Sequence, residues 1–425
     1  MIKIIIPILI VLGFLFFWIN RERNIDNSMT TETTKDITIT KTHVDVSEDP
    51  SSLGFSAQKK LAIDSKGNIY AAYRKKVDAY YEVFVSKMHK DKKGNYAVIE
   101  TSQVSHNESE VNQRVPSLAI DEKDTIHVVW YGADSSESDG DRQIKYAHSK
   151  DQGKTWSDEL NISNILGYKN QDLWQEHPSL FVGKNNQLYV VWEGKDQSTN
   201  NQQIKFSKSS DDGQTWSKWI DIKKQPASQS RPTIIQSDGK LYVFMYSKLN
   251  LPEMQIWYTV SNDNGKTWGA WKNISNSRND ARHLHAAVDT KNMIHLVWRE
   301  FNPEKKRTEV KYSSFDGNNW TKPNSVSPSD SYQYFPQVGI DKNNIVYITW
   351  VETQKKYGYP EESPEAGSTY VSFKTSSTDS FSEKQSLADN SYYPNIIPQS
   401  FKQGSFILYA TEDDDFPIIF ADVSF

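Results

Sequence analysis

The chain has 425 residues, 12% of them aromatic, with 13 Trp, no Cys and a formal net charge of −5 at pH 7. That aromatic load fits a well-packed core rather than disorder, and a pI near 6.0 offers no basic footprint for nucleic acid. Without Cys there are no disulfides, thiolate metal sites or Cys nucleophiles, and the compartment stays open.

Ile4 to Ile19 form an apolar run of 16 residues, broken by Pro7 and Gly13 and flanked by Lys3 and by Arg21 and Arg23. No small-x-small cleavage pattern follows it, so residues 1–20 predict a signal-anchor or transmembrane helix, with a cleaved signal peptide as the alternative. Residues 21–35 read as a polar linker, and residues 36–425 as the folded domain.

Within that domain, short β-branched and aromatic runs alternate with polar turns. Arg114-Val115-Pro116-Ser117-Leu118 leads through a turn into Ile126-His127-Val128-Val129-Trp130, a hairpin pattern. It returns at 176–192, 230–246, 282–298 and 334–350, with weaker copies at 57–73 and 392–409. A third run follows in each strong copy, such as Ile144-Lys145-Tyr146 and Ile204-Lys205-Phe206, and then a turn and a fourth strand. Four strands per repeat of about 50 to 60 residues describe the blades of an all-β propeller. Seven copies can be counted, or six if one end copy is not a true blade. The last copy has three strands before Phe425, and the alternating segment Ile37-Thr38-Ile39-Thr40 is placed to supply its outer strand and close the ring.

The turn before the fourth strand is nearly invariant in three copies: Ser149-Lys150-Asp151-Gln152-Gly153-Lys154-Thr155-Trp156, Ser209 to Trp216 and Ser261 to Trp268. Gly supplies positive φ, Asp caps backbone N–H groups, and Trp provides a large apolar plug. This octapeptide resembles the Asp-box of the sialidase-like propeller superfamily, and the resemblance extends over roughly residues 37–425.

The repeat register also names a face. Strands one and two share a tight turn, so the start of the first and the end of the second lie at one end of the blade. The Asp-box turn lies at the other end, which makes Asp151, Asp211 and Asp263 structural. At the site end, the innermost strands begin with Ala57, Arg114, Glu176, Ser230, Arg282, Tyr334 and Tyr392, followed by Gln58, Val115, His177, Arg231, His283, Phe335 and Tyr393. Arg74, Glu193, Arg299, Glu300 and Glu352 end the second strands nearby, and a long loop brings in Trp174. Clustered guanidiniums grip carboxylate, sulfate or phosphate groups, and aromatic faces suit sugar rings. The alternative is an Arg–Glu ion network with no ligand. His177, His283 and His285 lack metal-ligand spacing, and no cofactor is expected.

In catalytic sialidases an Arg-Ile-Pro motif supplies the first of three carboxylate-gripping arginines, a loop Asp is the acid/base, and a Tyr activated by Glu is the nucleophile. Arg114-Val115-Pro116 resembles that motif. The resemblance implies Arg231 with Arg282 or Arg299 as the further arginines. It implies Asp134, Asp139 or Asp141 as acid/base, and Tyr334 with Glu193 or Glu300 as the nucleophile pair. Glu176, His177, Trp174 and Tyr392 complete the expected funnel. Two departures stand beside it: sialidases have six blades where seven are counted here, and the Arg-Val-Pro element is one member of a repeated X-Pro pattern. Two functions are expected as alternatives: a sialidase-like exo-glycosidase acting on terminal acidic sugars, or a non-catalytic propeller binding a glycan or protein partner. Either is expected to be a monomer, membrane-anchored and extracytoplasmic.

Overall fold

The computed structural model describes residues 30–33, 38–47, 49, 52–54, 59–105, 111–133, 142–164, 173–196, 198, 201–354, 366–375, 378, 380–398, 404–413 and 415–424. The apolar run Ile4–Ile19 and the loop residues Asp134, Asp139 and Asp141 lie outside them. Among the described residues no helix is long and apolar enough to cross a membrane.

Two strands, β1 (Thr30–Thr33) and β2 (Thr38–Val46), precede five four-stranded antiparallel sheets. The first holds β3 (Leu61–Ile63), β4 (Ile69–Val77), β5 (Tyr80–Lys90) and β6 (Tyr96–Gln103). The second holds β7 (Gln113–Ile120), β8 (Ile126–Gly132), β9 (Gln143–Ser149) and β10 (Leu160–Asn161). The third holds β11 (Gln175–Val182), β12 (Leu188–Gly194), β13 (Gln203–Ser209) and β14 (Ile220–Asp221). The fourth holds β15 (Gln229–Ser237), β16 (Lys240–Ser247), β17 (Gln255–Ser261) and β18 (Lys272–Asn273). The fifth holds β19 (Ala281–Val288), β20 (Ile294–Asn302), β21 (Arg307–Phe315) and β22 (Asn324–Ser325). Then β23 (Tyr332–Ile340), β24 (Val346–Thr353), β25 (Gly367–Lys374), β26 (Gln385–Pro398), β27 (Gly404–Thr411) and β28 (Pro417–Ser424) join β2 and β1 in one eight-stranded sheet.

That larger sheet holds two copies of the repeat end to end. The first half of β26 pairs with β25 (Gln385 opposite Val371), and its second half pairs with β27 (Ile396 opposite Ile407). The N-terminal strand β2 pairs with the C-terminal β28 along its whole length, Thr38 opposite Ser424 and Val46 opposite Pro417. The first strands pack side by side in a cycle, β3 against β7, then β11, β15, β19, β23 and β26, which returns to β3. The fold is therefore all-β and propeller-like, with its first strands around the central axis.

The Asp-box works as a staple. Asp211 Oδ1 accepts from Thr215 N at 2.9 Å and Oδ2 from Thr215 Oγ1 at 2.5 Å, while Ser209 Oγ accepts from Gly213 N at 3.0 Å. Gly213 sits at φ +85°, and a Cβ there would stand 1.8 Å from Tyr146 Oη, so conformation and space both demand glycine. Trp216 packs edge-on against Tyr146 at 5.1 Å, and Trp268 against Phe206 at 5.4 Å, so each Trp plugs the seam to the preceding sheet.

At this same end, neighbouring sheets are latched turn to turn. Ser65 N donates to Asp124, Glu122 N to Asn186, Lys184 N to Gln236, Asp238 N to Asn292, and Thr290 N to Asn344. The cores between sheets centre on fully buried Trp130, Trp192, Trp298 and Trp350 of the second strands.

Candidate functional site

Six of the innermost strands, all but β3, carry a bulge where they enter the mouth. The register slips between Arg114 and Ser117, Glu176 and Ser179, Ser230 and Thr233, Arg282 and His285, Tyr334 and Gln337, and Tyr392 and Asn395. The residue inside each bulge has left-handed φ: Val115 44°, His177 53°, Arg231 51°, His283 53°, Phe335 52° and Tyr393 44°. Such backbone costs about 1–3 kcal/mol per residue away from glycine, and five of the six precede Pro, which disfavours it further. The bulge turns these side chains toward one another. His283 stacks on Phe335 at 4.8 Å, and Phe335 meets Tyr393 at 4.6 Å.

Outside two of these bulges the cross-strand pairs are unusual. Glu176 stands opposite Glu193, and Arg282 opposite Arg299. Like charges facing across a ladder repel, and each pair is relieved by a third group. Between the glutamates sits His177, whose Nδ1 lies 2.6 Å from Glu193 Oε1 and 3.4 Å from Glu176 Oε2. Arg142 pairs with Glu176, and Arg231 N donates to Glu193 Oε2 at 2.9 Å. Between the arginines sits Asp280. Arg282 Nε donates to both its oxygens, at 2.8 and 2.9 Å, and Arg299 Nη2 approaches at 3.4 Å.

These two clusters adjoin. Burial, then Arg299, Arg231 and Arg282, hold His283 well below the ordinary imidazole range. Burial, and next Arg231, lower His177 likewise, while burial raises Glu193. Burial, followed by Glu176, pushes Tyr131 up to about 12. Arg114 is half-buried opposite Tyr131 and makes no ion pair or side-chain hydrogen bond with another described residue. Arg299 is 7% exposed, and its Nε has no hydrogen-bond partner among the described residues.

The structure thus brings Arg114, Glu176, His177, Glu193, Arg231, Arg282 and Arg299 to one mouth. Tyr334 is buried there, its ring 5.7 Å from the Arg299 guanidinium. Tyr392 is buried with Tyr334, Phe335 and Tyr393 in an aromatic cluster. Glu300 is engaged elsewhere: it accepts from Trp298 Nε1 at 3.0 Å and from Asn279 at 3.5 Å. In the second and third sheets Gln113 and Gln175 hold the corresponding Trp, so Glu300 has a structural task. Trp174 is half-buried, with Lys195 Nζ 5.7 Å from its ring. Asp280, Arg142, Tyr131 and Tyr246, whose ring stands edge-on to His283 at 6.5 Å, are the members that sequence reasoning missed. For Asp280 the signal was present, two positions before Arg282. As for metals, Glu176, His177 and Glu193 offer three ligand atoms within 4.8 Å of one another. Arg142 and Arg231 already neutralise both carboxylates there, which opposes a cation.

Residues 75–400 match the BNR repeat-like domain family. The chain belongs to that family. No curated protein sequence matches it. Among solved structures, this BNR-family chain is similar to an ulvan lyase of polysaccharide lyase family PL25. The TM-score is 0.61 at 13% identity, over 89% of this chain and 93% of that one. It is similar to the Penicillium chrysogenum α-L-arabinanase complexed with arabinobiose at TM-score 0.51 and 14% identity, over 72% and 92%. A Dyadobacter fermentans protein of unknown function gives TM-score 0.52 at 17% identity, over 74% and 95%. At such identities the likeness concerns the fold.

Proposed function

We propose that this chain is a seven-bladed, glycan-active propeller whose arginine-lined mouth grips the acid group of a sugar. The observation that carries the reading is the surplus of guanidinium at the mouth. Arg114 is uncommitted among the described residues, and Arg299 keeps Nε unbonded while sharing Asp280 with Arg282. Burying unmatched cations is costly unless an anion completes them. The fold neighbours include enzymes of polysaccharides, one of them solved with a chain of glucuronate and sulfated rhamnose.

Within this reading, the His177–Glu193 pair supplies the proton chemistry. The contact of His177 Nδ1 with Glu193 Oε1 at 2.6 Å supports that assignment, on the pattern of other His–carboxylate pairs. Sialidase-like hydrolysis of a terminal acidic sugar is the finer form, with Asp134, Asp139 or Asp141 as the acid. A non-catalytic glycan-binding propeller is the second reading, favoured by Glu300, whose bonds to Trp298 and Asn279 occupy one of the two proposed activators of Tyr334. We place the domain outside the cytoplasm, tethered through residues 4–19.

The test uses the full chain with the 4-methylumbelliferyl conjugate of sialic acid and with a glucuronate-containing polysaccharide, beside Arg114→Ala and Arg231→Ala. Turnover of either substrate, lost in both variants, supports the enzyme. Calorimetric binding without turnover, lost in the variants, supports the second reading. No binding of any acidic sugar defeats both.

A further inference from the structure

The third and fourth copies carry a second Trp after the Asp-box, in Trp216-Ser217-Lys218-Trp219 and Trp268-Gly269-Ala270-Trp271. The second copy has Glu159 in that place and the fifth has Pro323. The two extra indoles behave differently. Trp271 Nε1 donates to Lys223 O at 3.3 Å, on the outer edge of the preceding sheet. Trp219 instead lies against Lys205, whose Nζ is 4.1 Å from the ring centroid. Lys205 is itself fully buried and held by Asp196 and by Asp221 at 2.7 Å, so the indole rests on a fixed cation.

Because Trp219 stays back on its own sheet, a cleft of about 500 Å³ opens between β10 and the Asp-box turn of the third sheet. Leu160, Ile162, Trp216 and Trp219 give it apolar faces, and Asn161, Ser163, Asn164, Gln214, Thr215 and Ser217 a rim of amides and hydroxyls. Among the described lining residues Lys218 is the one that is charged, and none is a carboxylate. Trp216 is pinned edge-on by Tyr146, so both indoles are rigid before any ligand arrives.

We infer that this cleft is a binding site for one or two uncharged sugar rings of a glycan. The argument is chemical. Rigid indoles match the C–H faces of a pyranose or furanose, neutral amides and hydroxyls match its hydroxyl groups, and the volume lies in the range of small-ligand sites. The described lining offers no guanidinium for the acidic groups that suit the mouth. The cleft lies on the Asp-box side, away from the mouth, and stands whether or not the mouth reading holds.

The experiment is a titration of intrinsic Trp fluorescence in the full chain with arabinohexaose, xylohexaose and cellohexaose, and with an oligoglucuronate. A saturable change with at least one neutral sugar is expected. Trp219→Ala should weaken it about tenfold, the order of one aromatic stacking contact. Gln214→Ala, an exposed rim change that leaves the core untouched, should weaken it by a smaller factor. Trp271→Ala and Arg231→Ala should leave it unchanged. If no neutral sugar gives a saturable change, if only the oligoglucuronate does, or if binding survives both Trp219→Ala and Gln214→Ala, the inference is overturned.

Discussion

Asp280→Asn is the most informative single change. It keeps the shape of the side chain but removes the negative charge between Arg282 and Arg299, which face each other across the ladder. Removing one partner of a buried ion pair costs about 3–5 kcal/mol. Asp280 is 20% exposed on its side chain and Asn still accepts one hydrogen bond, so about 2–3 kcal/mol is expected here. At about 2.1 cal/mol/K of unfolding entropy per residue over the domain, 1 kcal/mol moves Tm by about 1.2 °C. The variant should therefore melt about 3 °C below the wild type. An anion that occupies the vacated position should reverse this. Sulfate or glucuronate at about 100 times its Kd contributes about 2.7 kcal/mol, enough to restore the loss. Differential scanning calorimetry with and without sulfate measures both effects. A variant melting within 1 °C of wild type, or sulfate raising both proteins equally, would show that the arginine pair does not hold an anion position.

Asn344→Ala breaks a turn-to-turn latch in which Asn344 accepts from Thr290 N at 3.0 Å and Oγ1 at 2.8 Å. It should cost about 1–2 kcal/mol. Asn344→Gly should cost as much even though glycine suits the φ of 62°, and chemical denaturation separates latch from backbone strain. Ile39→Ala in β2 removes a buried contact with the cluster of Tyr347, Ile407 and Val423. It should cost about 2–4 kcal/mol, and an unchanged Tm would detach β2 from the fold. His283 and His285 are both lowered, His285 to about 3, chiefly by burial. The unfolded chain binds their protons below pH 6.5 and the folded chain does not, so stability falls as pH drops through that window. The slope is about 1.4 kcal/mol per unit for each imidazole. His285→Gln, which still accepts from Val338 N, should lessen the fall in Tm between pH 6 and 5 relative to wild type. An equal fall would place the titration elsewhere.

The architecture was legible because it repeats. A hairpin pattern that returns with an X-Pro entry and an Asp-box exit assigns one residue of each copy to the axis, and in the six copies from Arg114 to Tyr392 that residue stands at the strand entry, while Ala57 and Gln58 lie outside the described residues. The closing role of Thr38–Thr40 was legible too, since a last copy one strand short and an alternating N-terminal segment solve each other's edges, as the pairing of β2 with β28 shows. The partners within the ring were not legible, and the bulge explains why. A residue before Pro is expected in extended backbone, so His177, Arg231 and Phe335 should have pointed with their strands. The left-handed turn they adopt instead re-aims each side chain across to its neighbours. His177 then falls between two glutamates that the ladder alone would set in repulsion, and the same repulsion between Arg282 and Arg299 draws in Asp280 from outside the strand. Glu300 shows the converse error: its position matched the ring, but Trp298 Nε1 needs an acceptor, and the fifth sheet lacks the Gln that serves the second and third. Repeat register assigns a side chain to a face, but the partner it meets there depends on which polar demands the core has already placed on it.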